Sequence, residues 1–119
     1  MTSDEAVAGG SAGRFAERIH VEGFAVVPRL LEPPLVGDAR DALDAVFEAE
    51  ADIAGERGWR TDAYRVSYAL PTKHPVFVAI SSAPPVLALV RAVLGEDARV
   101  AGCNGFDVVA GGVGQDLHR

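Results

Sequence analysis

The strongest constraint on the fold is a long amphipathic segment that begins at Pro33 and Pro34 and runs to about Ala54. Prolines suit the first turn of a helix because the amides there have no intrahelical partner. Apolar residues then recur with the 3.6-residue period of an α-helix, and acidic residues occupy the other face. The apolar positions are Leu35, Ala39, Ala42, Leu43, Val46 and Phe47. The pattern predicts a helix over 33–54 whose apolar stripe needs a facing layer.

Three further segments have helical character. A helix is expected from Arg14 to a stop at Gly23, because Phe15 and Ile19 share one face. The segment after Pro84 carries an apolar stripe that ends at Gly95, and a short helical piece over 75–80 precedes it. Glycine at a helix end takes the left-handed conformation at no steric cost, which favours these boundaries.

Strand patterns are short and concentrate near the end of the chain. A short buried strand is expected over 24–27, before Pro28. Tyr64, Val66 and Tyr68 alternate as in a half-exposed strand. Residues 99–110 are rich in Val, Ala and Gly and predict one or two strands, broken near Asn104 and Gly105. The expected class is α+β, with too little sheet to cover the predicted helices.

Composition places the chain among globular proteins and excludes several function classes. Its 119 residues, 49% hydrophobic and 24% charged, suit one domain, with residues 1–13 as a flexible tail. The net charge of −6 argues against nucleic acid as a partner. No run of 18 apolar residues occurs, which argues against a membrane span. The single cysteine, Cys103, excludes an internal disulfide and favours a reducing, cytoplasmic location.

The residue with the most evident chemistry is His118, within the stretch Gln115-Asp116-Leu117-His118-Arg119. Neutral imidazole is a common ligand for iron and other transition metals. In non-haem iron oxygenases, two histidines and one carboxylate hold the metal, and His-x-Asp on a strand places two ligands on one side. On the residues alone, a histidine near a chain end is more often a solvated side chain.

Several segments that together cover most of residues 15–119 resemble, in order, those of the phytanoyl-CoA dioxygenase-like family. Gly114 to Arg119 is similar to the Gln-x-Leu-His-Arg stretch that leads into the family's His-x-Asp motif. Glu22 to Pro28 resembles its entry strand, and the helix at 35–50 its first long helix. Residues 85–95 resemble the family's helix ending in Leu-Gly before the first core strands.

The resemblance implies a double-stranded β-helix (jelly-roll) oxygenase that uses Fe(II), 2-oxoglutarate and dioxygen to hydroxylate, or in some members halogenate, a small organic substrate. His118 would be the first iron ligand, and Gln115 would line the 2-oxoglutarate or substrate side. The family's carboxylate ligand, distal histidine and 2-oxoglutarate-binding arginine have no counterpart in these residues. Residues 14–119 would thus be the helical N-terminal portion and first strands of a truncated oxygenase domain, inactive as given.

Other candidate residues have weaker support. Asp116 and His118 could form a different metal pair on one strand face, with no identifiable third ligand. His20 at a helix end and His74 beside Pro75 suit structural roles. Cys103, expected in an apolar strand, has no evident base partner and is expected to be inert.

Two further patterns leave the function open. Gly111 to Gly114 lacks the residues and the following helix of a phosphate loop. Trp59, Tyr64 and Tyr68 suit either the core or a substrate pocket. The alternative to the oxygenase hypothesis is a complete small α+β binding or interaction module without catalysis.

Overall fold

The computed structural model describes residues 10–112 and residue 114 of the chain. Over these residues the architecture is α+β, with five α-helices, one short 3₁₀ helix and a two-stranded antiparallel sheet. In chain order the elements are α1 (Gly10–Glu22), α2 (Pro33–Ala49), α3 (Ala51–Arg57), β1 (Tyr64–Ser67), the 3₁₀ helix (Leu70–Thr72), α4 (Pro75–Ser81), α5 (Pro84–Leu94) and β2 (Gly105–Val108). The α+β class expected from the sequence is confirmed.

Most helix boundaries agree with the sequence signals. Both α2 and α5 begin at paired prolines, and α5 ends directly before Gly95. Helix α1 starts at Gly10, inside the segment expected to be a flexible tail, and residues 1–9 lie outside the described part of the chain. Gly58 ends α3 in the left-handed conformation, at φ 72° and ψ 18°. A side chain there would be strained, which explains the glycine.

The predicted helix over 33–54 is divided in two. It breaks at Glu50, whose backbone lies at φ −100° and ψ 8°, and helical structure resumes at Ala51 and continues to Arg57. The prediction of one uninterrupted helix is therefore wrong. Residues 46–54 around Glu50 contain no proline or glycine, the usual local causes of such a break.

The sheet consists of β1 and β2, with Tyr64 opposite Val108 and Ser67 opposite Gly105. One of its faces packs on α2. A Cβ at Gly105 would lie 2.5 Å from Leu43 Cδ1, so glycine permits the close approach of strand and helix. On the same face the Arg65 guanidinium carbon lies 4.4 Å from the centre of the Phe47 ring.

Two strand predictions differ from the structure. Residues 24–27 form no strand, and Phe24 and Val26 are 65% and 70% exposed. Their neighbours Ala25 and Val27 pack against Phe15 instead. Within 99–110 only 105–108 is strand, so Cys103 lies before β2 and not within a strand. An apolar, alternating segment becomes a strand only where a partner strand can bond to it.

The core has two parts. The larger contains Leu70, Phe77, Val76 and Ala42, which are 2–7% exposed, between α2, α4 and the 3₁₀ helix. The smaller surrounds Phe15, where α1 meets Leu89 of α5. Within the described residues, no single helix is both long and apolar enough to cross a membrane. Only α4 and α5 taken together, across a 49° bend, pass that test by length and composition.

Candidate metal centre and a buried polar cluster

The predicted iron ligand His118 and the predicted 2-oxoglutarate residue Gln115 lie outside the described residues. Asp116, the partner in the alternative metal pair, lies outside them too. The structure does describe how the chain approaches this segment. After β2, the Val109 amide donates to the Ala63 carbonyl at 2.8 Å, and the Gly112 amide donates to the Val109 carbonyl at 3.0 Å. Strand β2 therefore ends in a tight turn beside the residues that precede β1.

Both other histidines have structural positions, His20 at the predicted helix end and His74 at the start of a helix instead of in the expected loop. His20 is in the last turn of α1, where a cation would be favourable. His74 caps the N-terminus of α4, because its Nδ1 accepts a hydrogen bond from the Val76 amide at 3.0 Å. Among residues 10–112 and 114, no three side chains of His, Cys, Asp or Glu come together as metal ligands would. The described residues alone therefore do not form a metal centre.

The aromatic side chains group around the sheet. Tyr64 stacks on Phe106 of β2, with ring centres 5.3 Å apart, and Trp59 meets Tyr68 edge-on at the same separation. Tyr68 is 43% exposed and Phe106 is 54% exposed. These residues form a partly open aromatic surface at the sheet, not a closed core.

A polar cluster that the sequence analysis missed joins Glu50, Ser67 and Lys73. Lys73 Nζ lies 2.6 Å from Glu50 Oε2 and donates to Ser67 Oγ at 2.9 Å. The Ser67 hydroxyl donates to Glu50 Oε1 at 2.7 Å. Ser67 is wholly buried, and the Glu50 and Lys73 side chains are 21% and 24% exposed. Every member therefore has a charged or hydroxyl partner, as burial of polar groups requires.

One sequence signal could have indicated this cluster. Glu50 follows Val46 by four residues and Phe47 by three, which places its carboxylate on the apolar stripe of the helix. A charge at such a position needs a buried partner. Lys73 is the only lysine of the chain, but nothing in its local pattern indicates that it meets Glu50.

The environment of Glu50 favours its ionised form. Burial raises the pKa of the Glu50 carboxyl, but the hydrogen bonds from Lys73 and Ser67 and the Lys73 charge outweigh burial and hold the pKa below its ordinary value. In the unfolded chain the carboxyl has its ordinary pKa. Ionised Glu50 therefore stabilises the fold above that ordinary value, and the contribution is lost as pH falls through the lower folded-state pKa.

We expect Glu50→Gln to reduce the free energy of unfolding at pH 7 by about 1–2 kcal/mol, because a charged hydrogen-bonded partner is lost. The difference from the unmodified chain should shrink as pH falls below about 4. Urea unfolding followed by circular dichroism between pH 3 and pH 7 measures both effects. The matched control is Glu48→Gln, at an exposed position two residues away. If the difference in the free energy of unfolding between Glu50→Gln and the unmodified chain did not change with pH, the pairing of ionised Glu50 with Lys73 would be contradicted.

A second charged group lies on the α2-facing side of the sheet. Arg65 pairs with Asp107 across the two strands at 2.5 Å and lies 3.8 Å from Asp44 of α2. The guanidinium also covers the Phe47 ring. This arrangement ties both strands to α2 and suits a structural role.

Comparisons of the chain with known protein families, with curated proteins and with solved structures found no match. No family is therefore shown for the chain, and the resemblance to the phytanoyl-CoA dioxygenase-like family stays a prediction from the residues quoted above. Its expected entry strand at 24–27 is not a strand in the structure.

Proposed function

We propose that the chain is the N-terminal part of an iron(II)- and 2-oxoglutarate-dependent dioxygenase of the phytanoyl-CoA dioxygenase type, acting on a small organic substrate. His118 is the first iron ligand and Gln115 lies on the 2-oxoglutarate side. The remaining carboxylate, the second histidine and the 2-oxoglutarate-binding arginine come from residues that follow Arg119. Iron held by these ligands would supply the oxidation of an unactivated carbon by dioxygen.

The observation that best supports this proposal is the exposed apolar surface of β2 on the side of the sheet that faces away from α2. The side chains that face α2 are packed or paired: Arg65 on Phe47 and Ser67 on Glu50. On the opposite face Val66 of β1 is buried, but Phe106 and Val108 of β2 are 54% and 65% exposed. A jelly roll has two sheets packed face to face about 10 Å apart, and its inner face is apolar. The exposed side of β2 has the character of such an inner face.

The position of β2 is also in keeping with the proposal. It is the last described strand before residues 115–119, and only a turn and a glycine-rich segment separate the two. One histidine does not hold Fe(II) against water, because affinity depends on several ligands arranged together. The 119-residue chain alone is therefore expected to be inactive.

The residue that follows Arg119, two positions after His118, would decide between hydroxylation and halogenation. An aspartate there would complete the His-x-Asp pair and support hydroxylation. A small residue would leave a coordination position open for halide and support halogenation. Sequencing the reading frame after Arg119 distinguishes these outcomes, and a natural stop codon at that point would contradict the enzyme proposal.

The second candidate function is a complete binding module, for which the exposed face of β2 would be the docking surface. The two proposals differ in how the 119-residue chain should behave. If the chain is part of a larger domain, Phe106 and Val108 lack their natural cover, and the chain should self-associate. If it is complete, it should unfold as a monomer in a sharp and reversible thermal transition.

We expect Val108→Lys to reduce self-association of the 119-residue chain, because a charge on an exposed strand opposes pairing between copies. Light scattering at several concentrations measures the effect. The control is Leu94→Lys, at a residue that is 72% exposed but lies at the end of α5, away from the sheet. Equal effects of the two substitutions would show that the β2 face is not the origin of the association.

A further inference from the structure

The break between α2 and α3 has no local cause in the sequence. Residues 46–54 contain no proline or glycine, and alanine and glutamate, which favour helix, make up most of the segment. The last bond of α2 runs from the Glu50 amide to the Val46 carbonyl at 3.0 Å, and the first bond of α3 runs from the Ala54 amide to the Glu50 carbonyl at 2.8 Å. The amides of residues 51–53 fall between these two bonds.

The side chain at the break is held by two other elements. The Glu50 carboxylate accepts from Ser67 on β1 and from Lys73 at the end of the 3₁₀ helix, at 2.7 and 2.6 Å. Ser67 is fully buried and cannot follow an outward movement of Glu50 without losing its partner. Both helices contact β1. A straight helix through residue 50 would have to keep the contacts of both helices with β1 and also the hydrogen bonds of the Glu50 carboxylate.

We propose that the Glu50–Ser67–Lys73 cluster is a conformational joint that sets the bend between α2 and α3. While Lys73 and Ser67 hold the Glu50 carboxylate, residue 50 stays out of helical geometry and α3 lies against β1. When that hold is released, residues 33–57 form one continuous helix, because local propensity favours it and the amides of residues 51–53 gain intrahelical partners.

Among the described residues, no other charged residue near the break takes the place of Lys73 or Glu50 in this cluster. Arg65, the cation of β1, is engaged by Asp107 at 2.5 Å and lies near Asp44. Glu48, the other acidic residue close to the break, is exposed. Lys73 is therefore the cation whose removal releases the joint, and Glu50 is the carboxylate that it acts on.

Nuclear magnetic resonance of the full 119-residue chain tests the joint. We expect Glu50→Ala to move the ¹³Cα shifts of residues 49–53 toward helical values, and to slow amide hydrogen exchange at residues 51–53 on the order of tenfold. Lys73→Met should give the same changes, whereas Lys73→Arg, which keeps the charge, should give smaller ones. The matched control is Glu48→Ala, which brings the same gain in helix propensity two residues away and should leave these signals unchanged.

The proposal is overturned if folded Glu50→Ala or Lys73→Met protein retains the unmodified shifts at residues 49–53, since the bend would then be independent of the cluster. It is also overturned if Glu48→Ala straightens the helix equally. If Glu50→Ala does not fold, Lys73→Met gives the same test, because it keeps the length of the side chain and removes the cation that holds Glu50. Shifts toward helical values support the joint, and unchanged shifts reject it.

Discussion

Replacing Phe77 by alanine is expected to lower the free energy of unfolding by about 3–5 kcal/mol, because the ring is lost from a core site that cannot collapse to fill the space. Phe77 is only 4% exposed and lies in the larger core, among Leu70, Val76 and Ala42. Domains of this size are commonly stable by about 5–15 kcal/mol in total. The variant should therefore lose much of its folded population, as measured by urea unfolding followed by circular dichroism.

The matched control is Phe24→Ala, which removes the same side chain from a position that is 65% exposed. Its expected cost is below about 1 kcal/mol, because little apolar surface returns to water. Similar losses in the two variants would contradict the placement of the core between α2, α4 and the 3₁₀ helix.

If His118 is the iron ligand that we propose, replacing it by alanine is expected to weaken Fe(II) binding on the order of 100-fold or more in the protein expressed from the complete reading frame. Anaerobic calorimetric titration with Fe(II) measures the change. Circular dichroism of the variant should match that of the unmodified protein, because the effect is on the site and not on the fold.

Two further variants separate this prediction from its alternatives. His20→Ala removes an exposed histidine from the end of α1 and should leave Fe(II) affinity unchanged. Asp116→Ala distinguishes the two metal hypotheses, because a His-x-Asp site that begins at His118 does not use it. Loss of metal with Asp116→Ala would favour the Asp-x-His pair. Unchanged Fe(II) affinity in His118→Ala would contradict the ligand role that the resemblance to the oxygenase family implies for His118.

Local patterns were sufficient to predict most of the helices and one strand. The period of apolar residues and the paired prolines predicted α2 and α5, although not the end of α2 at Ala49. Gly95 marked the end of α5 and Gly58 the end of α3. The alternation of Tyr64 and Val66 predicted β1. In each case the information is contained in neighbouring residues, through backbone sterics and the period of the side chains.

Contacts between distant residues account for what the sequence did not predict. Glu50, where the predicted helix breaks, contacts Lys73, 23 positions further along the chain, and Ser67, 17 positions away. The segment 24–27 has the composition of a strand, but among the described residues none bonds to it as a partner strand. A strand needs a partner whose position local sequence does not specify.

The site residues, like the fold, include some that the sequence predicted and some that it did not. His118 and Gln115 were chosen from a motif, and they lie outside the described residues, so their roles stay predictions. The structural role of His74 was expected from its place beside Pro75, and its hydrogen bond to the Val76 amide confirms it. The Glu50–Ser67–Lys73 cluster carries only a partial sequence signal, a carboxylate on an apolar stripe.

The most direct test of the oxygenase proposal is anaerobic calorimetric titration of Fe(II) into the protein expressed from the complete reading frame, with and without 2-oxoglutarate. We predict one iron site per chain, with tighter binding when 2-oxoglutarate is present, because the co-substrate completes the coordination of the metal. No iron binding, or iron binding that 2-oxoglutarate leaves unchanged, would contradict the proposal.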